Sequence, residues 1–378
     1  MKVFIFNPEH DIALATHVEN FTAPHAGREI RHDLGYLPML WAEEGDYVLV
    51  DDVDACLAAV RRLSVPTHGT LISADELRHL LTLVTDDVDI RPWGWDLSLC
   101  YTLRRMGVRA DQLPSVFRLE HIRQLSHRAW AAEHFLQPAR NIEGTIGESQ
   151  PLTSLDAVAA YWHAHHDIVL KAPWSSSGRG IRYLRATIAP SNSTDTSASV
   201  APSASVPSSS PSVLPAELQG WLRHVIRQQG CVMGEPFYDK VLDLGVEFVS
   251  DGRGEVSYRG LSLFHTEAGA YTGNIIDTEK HKQERLSRYV DMSTFHAVKE
   301  LLAECLGQVL RGIYAGPLGI DMMVVKVGSQ TLLHPCVELN LRCTMGHVAL
   351  AIHHDDGLPA RLMRIRYTDK YRMTLCSE

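Results

Sequence analysis

The chain has 378 residues, a formal charge of −9 at neutral pH and 45% apolar residues, so it is too long for one ordinary core and should hold two or three domains. No block of like charges runs through it, which argues against nucleic acid or a membrane as partner and in favour of small molecules. MKVFIFNPEHD offers only a short apolar run with Glu9 and Asp11 close behind, neither a signal peptide nor a membrane span, and the expected location is the cytoplasm. Seven cysteines (56, 100, 231, 305, 336, 343, 376) show no CxxC pair and an odd total, the pattern of reduced core thiols.

In chain order, KVFIFNP (2–8), DYVLVDD (46–52) and DIRPW (89–93) read as short buried strands, with helical patterns at DVDACLAAVRRL and SADELRHLLTLV between them. Ser73 caps the second helix, with Glu76 three residues on as a capping box. The alternation predicts an open α/β domain over 1–115. No GxGxxG follows its first strand, which removes the main support for a nicotinamide site. HIRQLSHRAWAAEHFL (121–136) reads as a helix, and DIVL and IRYLRATI as strands. From 189 to 215 serine, proline and alanine dominate and offer too little apolar surface to repay ordering, so that stretch is expected to be a disordered insertion. AELQGWLRHVIRQQG is a helix with Gly230 as its stop. Strands follow at 231–237, 241–250, 255–264, 319–327 and 331–340, interrupted by a helix at 294–313, so the second half is α+β with a largely antiparallel sheet.

Two stretches carry chemistry. In KAPWSSSGRG, Ser175, Ser176, Ser177, Gly178, Arg179 and Gly180 follow Lys171 and a buried strand. Small residues leave backbone N–H groups free to crowd an anion, although the lysine precedes the glycines, so this is not a Walker loop. A plain surface turn explains the same composition. In GIDMMVVKVGSQTLLHPCVELNLRCTMG, Asp321 opens one strand and Glu338 and Asn340 end the return strand on one face. Two carboxylates and an amide suit Mg²⁺, which fills its other positions with water and phosphate; solvent-facing strand residues are the plain alternative.

Lysine and a glycine-serine loop, then D…ExNxR, in that order, resemble the ATP-grasp superfamily, which includes D-alanine-D-alanine ligase and biotin carboxylase. The resemblance covers about residues 116–355. It implies an open α/β domain (1–115) ahead of a two-subdomain fold (116–188 and 216–378) that clasps a nucleotide between antiparallel sheets. It also implies ATP with Mg²⁺, or Mn²⁺ in its place. Lys171 resembles the phosphate-contacting lysine, and 175–180 the loop that closes over the phosphates. Glu235, Pro236 and Phe237 resemble the hinge at the base, and Asp243 the acid on the ribose, with Glu247 as its rival. Asp321, Glu338 and Asn340 take the metal positions, and Arg342 stabilises the transferred phosphoryl. The family's further lysine is absent, and Arg128 or His127 stands in its place.

The implied reaction joins a carboxylate to an amine through an acylphosphate. Phosphoryl transfer to a small molecule and non-catalytic metal or nucleotide binding are the alternatives, and a homodimer is compatible with all three. For substrate, NPEHDIALA places Asn7, Glu9, His10 and Asp11 after the first strand, where open α/β sheets bind ligands; a polar turn capped by Asp11 explains them equally well. FHTEAGAYTGN (264–274) reads as a long loop over the cleft, with His265 and Tyr271 as candidates. HAHHD (163–167) and IHHDD (352–356) resemble metal tracts, but their spacing favours solvated loop histidines.

Overall fold

Lys2–Ile5 alternates half-buried and buried positions, the period of an extended chain, and it pairs in parallel with two neighbours. The computed structural model describes residues 1–83, 87–175, 180–185, 214–267 and 270–378. In its N-terminal part β1 (Lys2–Ile5), β2 (Tyr47–Leu49), β3 (Thr70–Ile72) and β4 (Asp89–Pro92) form a parallel sheet in the order β3-β2-β1-β4. The sequence does not announce β3, because three residues are too few to show alternation. Val3, Ile5, Ile72, Ile90 and Leu103 bury one face. The Ser73–Glu76 capping box is present, with Ser73 N–H donating to Glu76 Oε2 at 2.7 Å and Glu76 N–H donating to Ser73 Oγ at 3.3 Å.

The helix expected over 121–136 is interrupted. It runs Val116–Leu125, restarts at Arg128–Ala131 and widens into a π turn at Ala132–Leu136. His127 causes the restart, because its Nδ1 accepts the Ala129 N–H at 3.1 Å and caps a new helix. Arg128 is thereby set at the mouth of the following sheet, which comprises β5 (Gln150–Leu152), β6 (Ile168–Lys171), β7 (Ile181–Leu184) and β8 (Val232–Pro236) in the antiparallel order β5-β8-β6-β7. Helices Leu155–His165 and Ala216–Gln229 back it through Val158, Leu222 and Val225. Gly230 ends the latter helix at φ 85°, a conformation that costs glycine little. Of the expected insertion, 189–213 lies outside the described residues. Leu214 is buried in this core and Pro215 is the N-cap of the helix, so the last two residues of the expected insertion belong to the fold.

The third sheet has seven strands: β9 (Asp239–Ser250), β10 (Val256–Glu267), β11 (Ala270–Ile276), β12 (Gly316–Val327), β13 (Gln330–Asn340), β14 (Arg361–Tyr367) and β15 (Tyr371–Ser377), in the antiparallel order β13-β12-β9-β10-β11-β14-β15. Helix Met292–Leu310 lays Phe295, Val298, Leu302 and Leu306 on one face, against Leu244, Val246, Phe248 and Ile320, each buried side chain contributing roughly 1.5–3 kcal/mol. One expectation about this sheet fails. The stretch 264–274 is not a loop, since β10 continues to Glu267 and β11 resumes at Ala270. The last residues, unassigned in the sequence reading, extend the same sheet as the β14–β15 hairpin. Among the cysteines, Cys376 is exposed rather than buried in a core. Among the described residues no helix is long and apolar enough to cross a membrane, and no three His, Cys, Asp or Glu side chains group as a metal site. His163 and His165 belong to the last turn of their helix rather than to a loop.

Candidate active site

The small sheet, the exposed face of the large sheet and the β1 end of the N-terminal domain enclose a cleft of about 1670 Å³. Its floor follows from strand register. On β9, Asp243, Gly245 and Glu247 point to one face, and their partners on β12 are Met323, Asp321 and Gly319. On β13, Glu338 lies opposite Asp321, and Asn340 opposite Gly319. Asp243, Asp321, Glu338, Asn340 and Glu247 therefore share the cleft face, and all five line it. Burial, then Glu338 and Glu247, push the Asp321 carboxyl up to about 8. Excess negative charge on an oxygen-rich floor is what a bound divalent cation would relieve, so Asp321, Glu338 and Asn340 fit Mg²⁺ in donor type as well as in placement.

The cationic side chains reach this floor already paired. Lys171, at the end of β6, is buried with its Nζ 2.5 Å from Glu235 Oε2 on β8. Glu235 thus faces the lysine with its side chain instead of merely supplying backbone. Arg128 Nη2 lies 2.7 Å from Glu338 Oε2, and the same guanidinium donates to Ala172 O and to Ser175 Oγ (3.0 Å). It therefore bridges the loop after β6 to the ExN strand. Arg342 is neither free nor a surface residue paired locally: its Nε and Nη2 contact the Asp11 carboxylate, both at 3.0 Å, across 331 positions of sequence. Burial alone would lower the Arg342 pKa, and the Asp11 carboxylate outweighs that and holds it above its ordinary value. Asp11 sits inside the helix His10–Thr16 and does not cap it.

At the opposite end, Pro236, Phe237, Tyr183 and Trp221 line the cleft, with the Arg185 guanidinium 4.2 Å from the Phe237 ring centre and Arg182 at 4.9 Å from that of Trp221. These faces suit a flat ring. Asp243, on β9, accepts from Lys240 Nζ at 2.5 Å and from Thr266 Oγ1 at 2.7 Å.

Not every expected residue arrives here. Asn7 and His10 are buried away from the cleft. The Asn7 amide donates to Gly94 O (2.9 Å) and Asp96 Oδ2 (3.2 Å), and His10 Nδ1 lies 3.3 Å from the same Asp96 oxygen, so both tie β1 to the turn after β4. Glu9 does line the cleft, paired with Arg31 at 2.7 Å. Tyr271 lines it as well, whereas His265 on β10 does not. Ser175 lines it, but Gly180 does not; Gly180 is the carbonyl partner of Ala172 N–H at 2.8 Å. Ser176, Ser177, Gly178 and Arg179 lie outside the described residues. Residues without a sequence signal include Ser262 and Asn274, joined by a 2.7 Å hydrogen bond on the floor, and Trp93, Ile365 and Tyr371 in the wall. These come together only through strand pairing.

No protein-family model matches the chain, and no curated protein matches it. Solved structures do. Biotin carboxylase from Campylobacter jejuni, as a β-γ-ATP complex, aligns at TM-score 0.50 and 11% identity over 96% of this chain and 75% of that one. Rhizobium etli pyruvate carboxylase aligns at 0.50 and 13% identity over 96% of this chain and 31% of that one. N5-carboxyaminoimidazole synthetase from Staphylococcus aureus, complexed with ADP, aligns at 0.47 and 10% identity, over 97% of this chain and 82% of that one. With an N-terminal α/β sheet followed by two antiparallel sheets facing each other across one cleft, and with that likeness to biotin carboxylase, the chain has the ATP-grasp fold.

Proposed function

We propose that this protein is an ATP- and Mg²⁺-dependent ligase that joins a small-molecule carboxylate to an amine through an acylphosphate, releasing ADP and phosphate. The observation that carries the reading is convergence. Lys171, Arg128, Asp321, Glu338, Asn340 and Arg342, scattered over more than 200 positions, line one cleft whose far end is walled by Phe237 and Trp221. Biotin carboxylase from Campylobacter jejuni, solved as a β-γ-ATP complex, shares that fold.

In this reading the base stacks at Phe237 beside the Glu235–Pro236 strand and the ribose meets Asp243. Lys171 and Arg128 reach the phosphates, and the loop 175–180 covers them. Asp321, Glu338 and Asn340 would hold the magnesium, or manganese, which when bound neutralises phosphate charge. The acceptor carboxylate attacks the γ-phosphorus, and Arg342, held by Asp11, balances charge on the migrating phosphoryl. Asp11 fixes the guanidinium plane, so less ordering remains for the moment of reaction. The amine then displaces phosphate, and a closed cleft keeps water from competing. Residues 1–115 serve as the preceding domain, 116–188 and 216–378 as the two jaws, and 189–215 as an insertion outside the catalytic unit.

An ATP-consumption screen with pooled amino acids, peptides and small carboxylates, followed by mass measurement of the product, tests this. A product equal to acid plus amine minus water supports the ligase. A phosphorylated small molecule makes the protein a kinase, and absence of ATP turnover with every pool refutes both.

A further inference from the structure

Most cleft-lining carboxylates already have a cation: Glu9 has Arg31, Asp11 has Arg342, Glu235 has Lys171, Asp243 has Lys240 and Glu338 has Arg128. Asp321, Glu217, Asp239 and Glu247 have none among the described residues, and of these four only Glu247 is buried. It is 2% exposed, the most buried of them, and has no lysine or arginine in ion-pair contact among the described residues. Lys282, whose field reaches it, is committed to Glu279 at 3.4 Å.

His347 does not compensate Glu247 either. Its Nδ1 lies 3.1 Å from Glu247 Oε2, yet that nitrogen accepts the Thr344 N–H at 3.3 Å, while Nε2 faces the Phe248 carbonyl at 3.2 Å. The ring is thus shared among Thr344, Phe248 and Glu247 and is not given over to the carboxylate. The firm donor to Glu247 is the Thr344 hydroxyl, at 2.9 Å. The surroundings are shaped for this carboxylate. A methyl group on Gly245 or Gly319 of the sheet, or on Gly346 of the helix Met345–Ala351, would overlap it, so two strands and a helix carry no side chain where it lies.

Its place along the cleft narrows the role. Asp243 and Glu247 are four residues apart on β9, roughly 13 Å, with Asp321 opposite the residue midway between them. Ribose at Asp243 leaves Glu247 at the other end of the strand, on the row of Gly319 and Asn340 at the edge of the metal set, hydrogen-bonded to Thr344, with Trp93, Met345 and Ile365 lining the same cleft. That is the acceptor end.

The geometry points to Glu247 as the residue that receives the amine substrate, a primary ammonium compound with an apolar body, and takes its proton. The step balances. R–NH₃⁺ gives one proton to the Glu247 carboxylate, the freed lone pair forms the C–N bond at the acyl carbon, the C–O bond to phosphate breaks, and the second N–H proton leaves with the phosphate. This assignment rests on the ligase reading above.

Hydroxylamine separates the two. It is uncharged at neutral pH, so it traps an acylphosphate as a hydroxamate without a base. Wild-type protein and Glu247→Gln are given ATP, Mg²⁺ and pooled amino acids with small carboxylates, with and without hydroxylamine, and amide and hydroxamate are measured by mass. We expect Glu247→Gln to lose amide formation by about 10²–10⁴-fold while forming hydroxamate at the wild-type rate, and the wild-type amide to contain an amine with an apolar body. Amide formation retained in the variant, loss of both products in the variant, or a wild-type amide built on a charged side chain each overturns the assignment. Wild-type protein that makes neither product removes the ligase reading and this one with it. If Glu247→Gln fails to melt cooperatively, Glu247→Asp, which keeps the charge but withdraws it by one methylene, is judged on the same split with a partial amide loss expected.

Discussion

Asp321→Asn exposes the central conflict of the floor. Asp321 and Glu338 are directly opposed on β12 and β13, a spacing of about 5 Å between β-carbons, where two unit charges at an effective dielectric constant of 20 repel by about 3 kcal/mol. The Asp321 carboxyl, pushed up to about 8 by burial and its acidic neighbours, holds its proton in the folded chain where the unfolded chain would have released it. The folded state thus binds more protons between pH 4 and 8, and stability falls as pH rises through that window. Asparagine keeps the shape and removes the charge. At pH 9 the variant should be more stable than wild type by up to about 3 kcal/mol, a few degrees in Tm for a chain this long, and at pH 5 the two should coincide. Saturating Mg²⁺ with ADP should close most of that gap at pH 9 and put wild type ahead at pH 5, since a ligand at a hundred times its Kd adds about 2.7 kcal/mol only where its site is intact. Thermal melts at pH 5 and 9, with and without Mg·ADP, read all of this. A variant stabilised equally by Mg·ADP refutes the metal assignment, and one no more stable than wild type at pH 9 refutes the charge conflict on the floor.

Glu338→Ala should abolish ATP turnover while leaving circular dichroism and cooperative melting in place; unchanged turnover would remove Glu338 from the metal set. Arg342→Met leaves Asp11 charged and mostly buried, so urea unfolding should show a loss of about 3–5 kcal/mol, most of it restored in Arg342→Met/Asp11→Leu, with turnover lost in both. His334 is fully buried without a partner for either ring nitrogen among the described residues, and burial pushes its pKa down from 6.5 to about 4. The unfolded chain takes up that proton first, so stability should drop by about 3 kcal/mol as pH falls from 6.5 to 4, and His334→Leu should flatten that limb of the Tm profile. Deleting 190–213 should leave turnover and Tm nearly unchanged, and a large loss of either would show that the insertion takes part in the fold.

Local physics alone made much of this molecule readable. Apolar runs bounded by turn residues located β1, β2, β4, β6, β8, β9, β10, β12 and β13. The Ser73–Glu76 box and Gly230 marked helix ends because capping is satisfied within a few residues. The i, i+2 spacing of Glu338 and Asn340 put both on one face, whatever the rest of the chain did. Partnership was decided elsewhere. That Arg342 binds Asp11, that Arg128 reaches Glu338, and that Glu247 lies in a slot of three glycines depend on strands brought together over tens to hundreds of residues, and no periodicity records such encounters. Asn7 and His10 show the converse: their residue types suit a ligand, but Asp96 and Gly94 of the neighbouring β4 turn claimed them. A side chain's chemistry is written in the sequence, whereas which opposite charge satisfies it is settled when sheets close, because only burial makes an unpaired charge costly enough to select its partner.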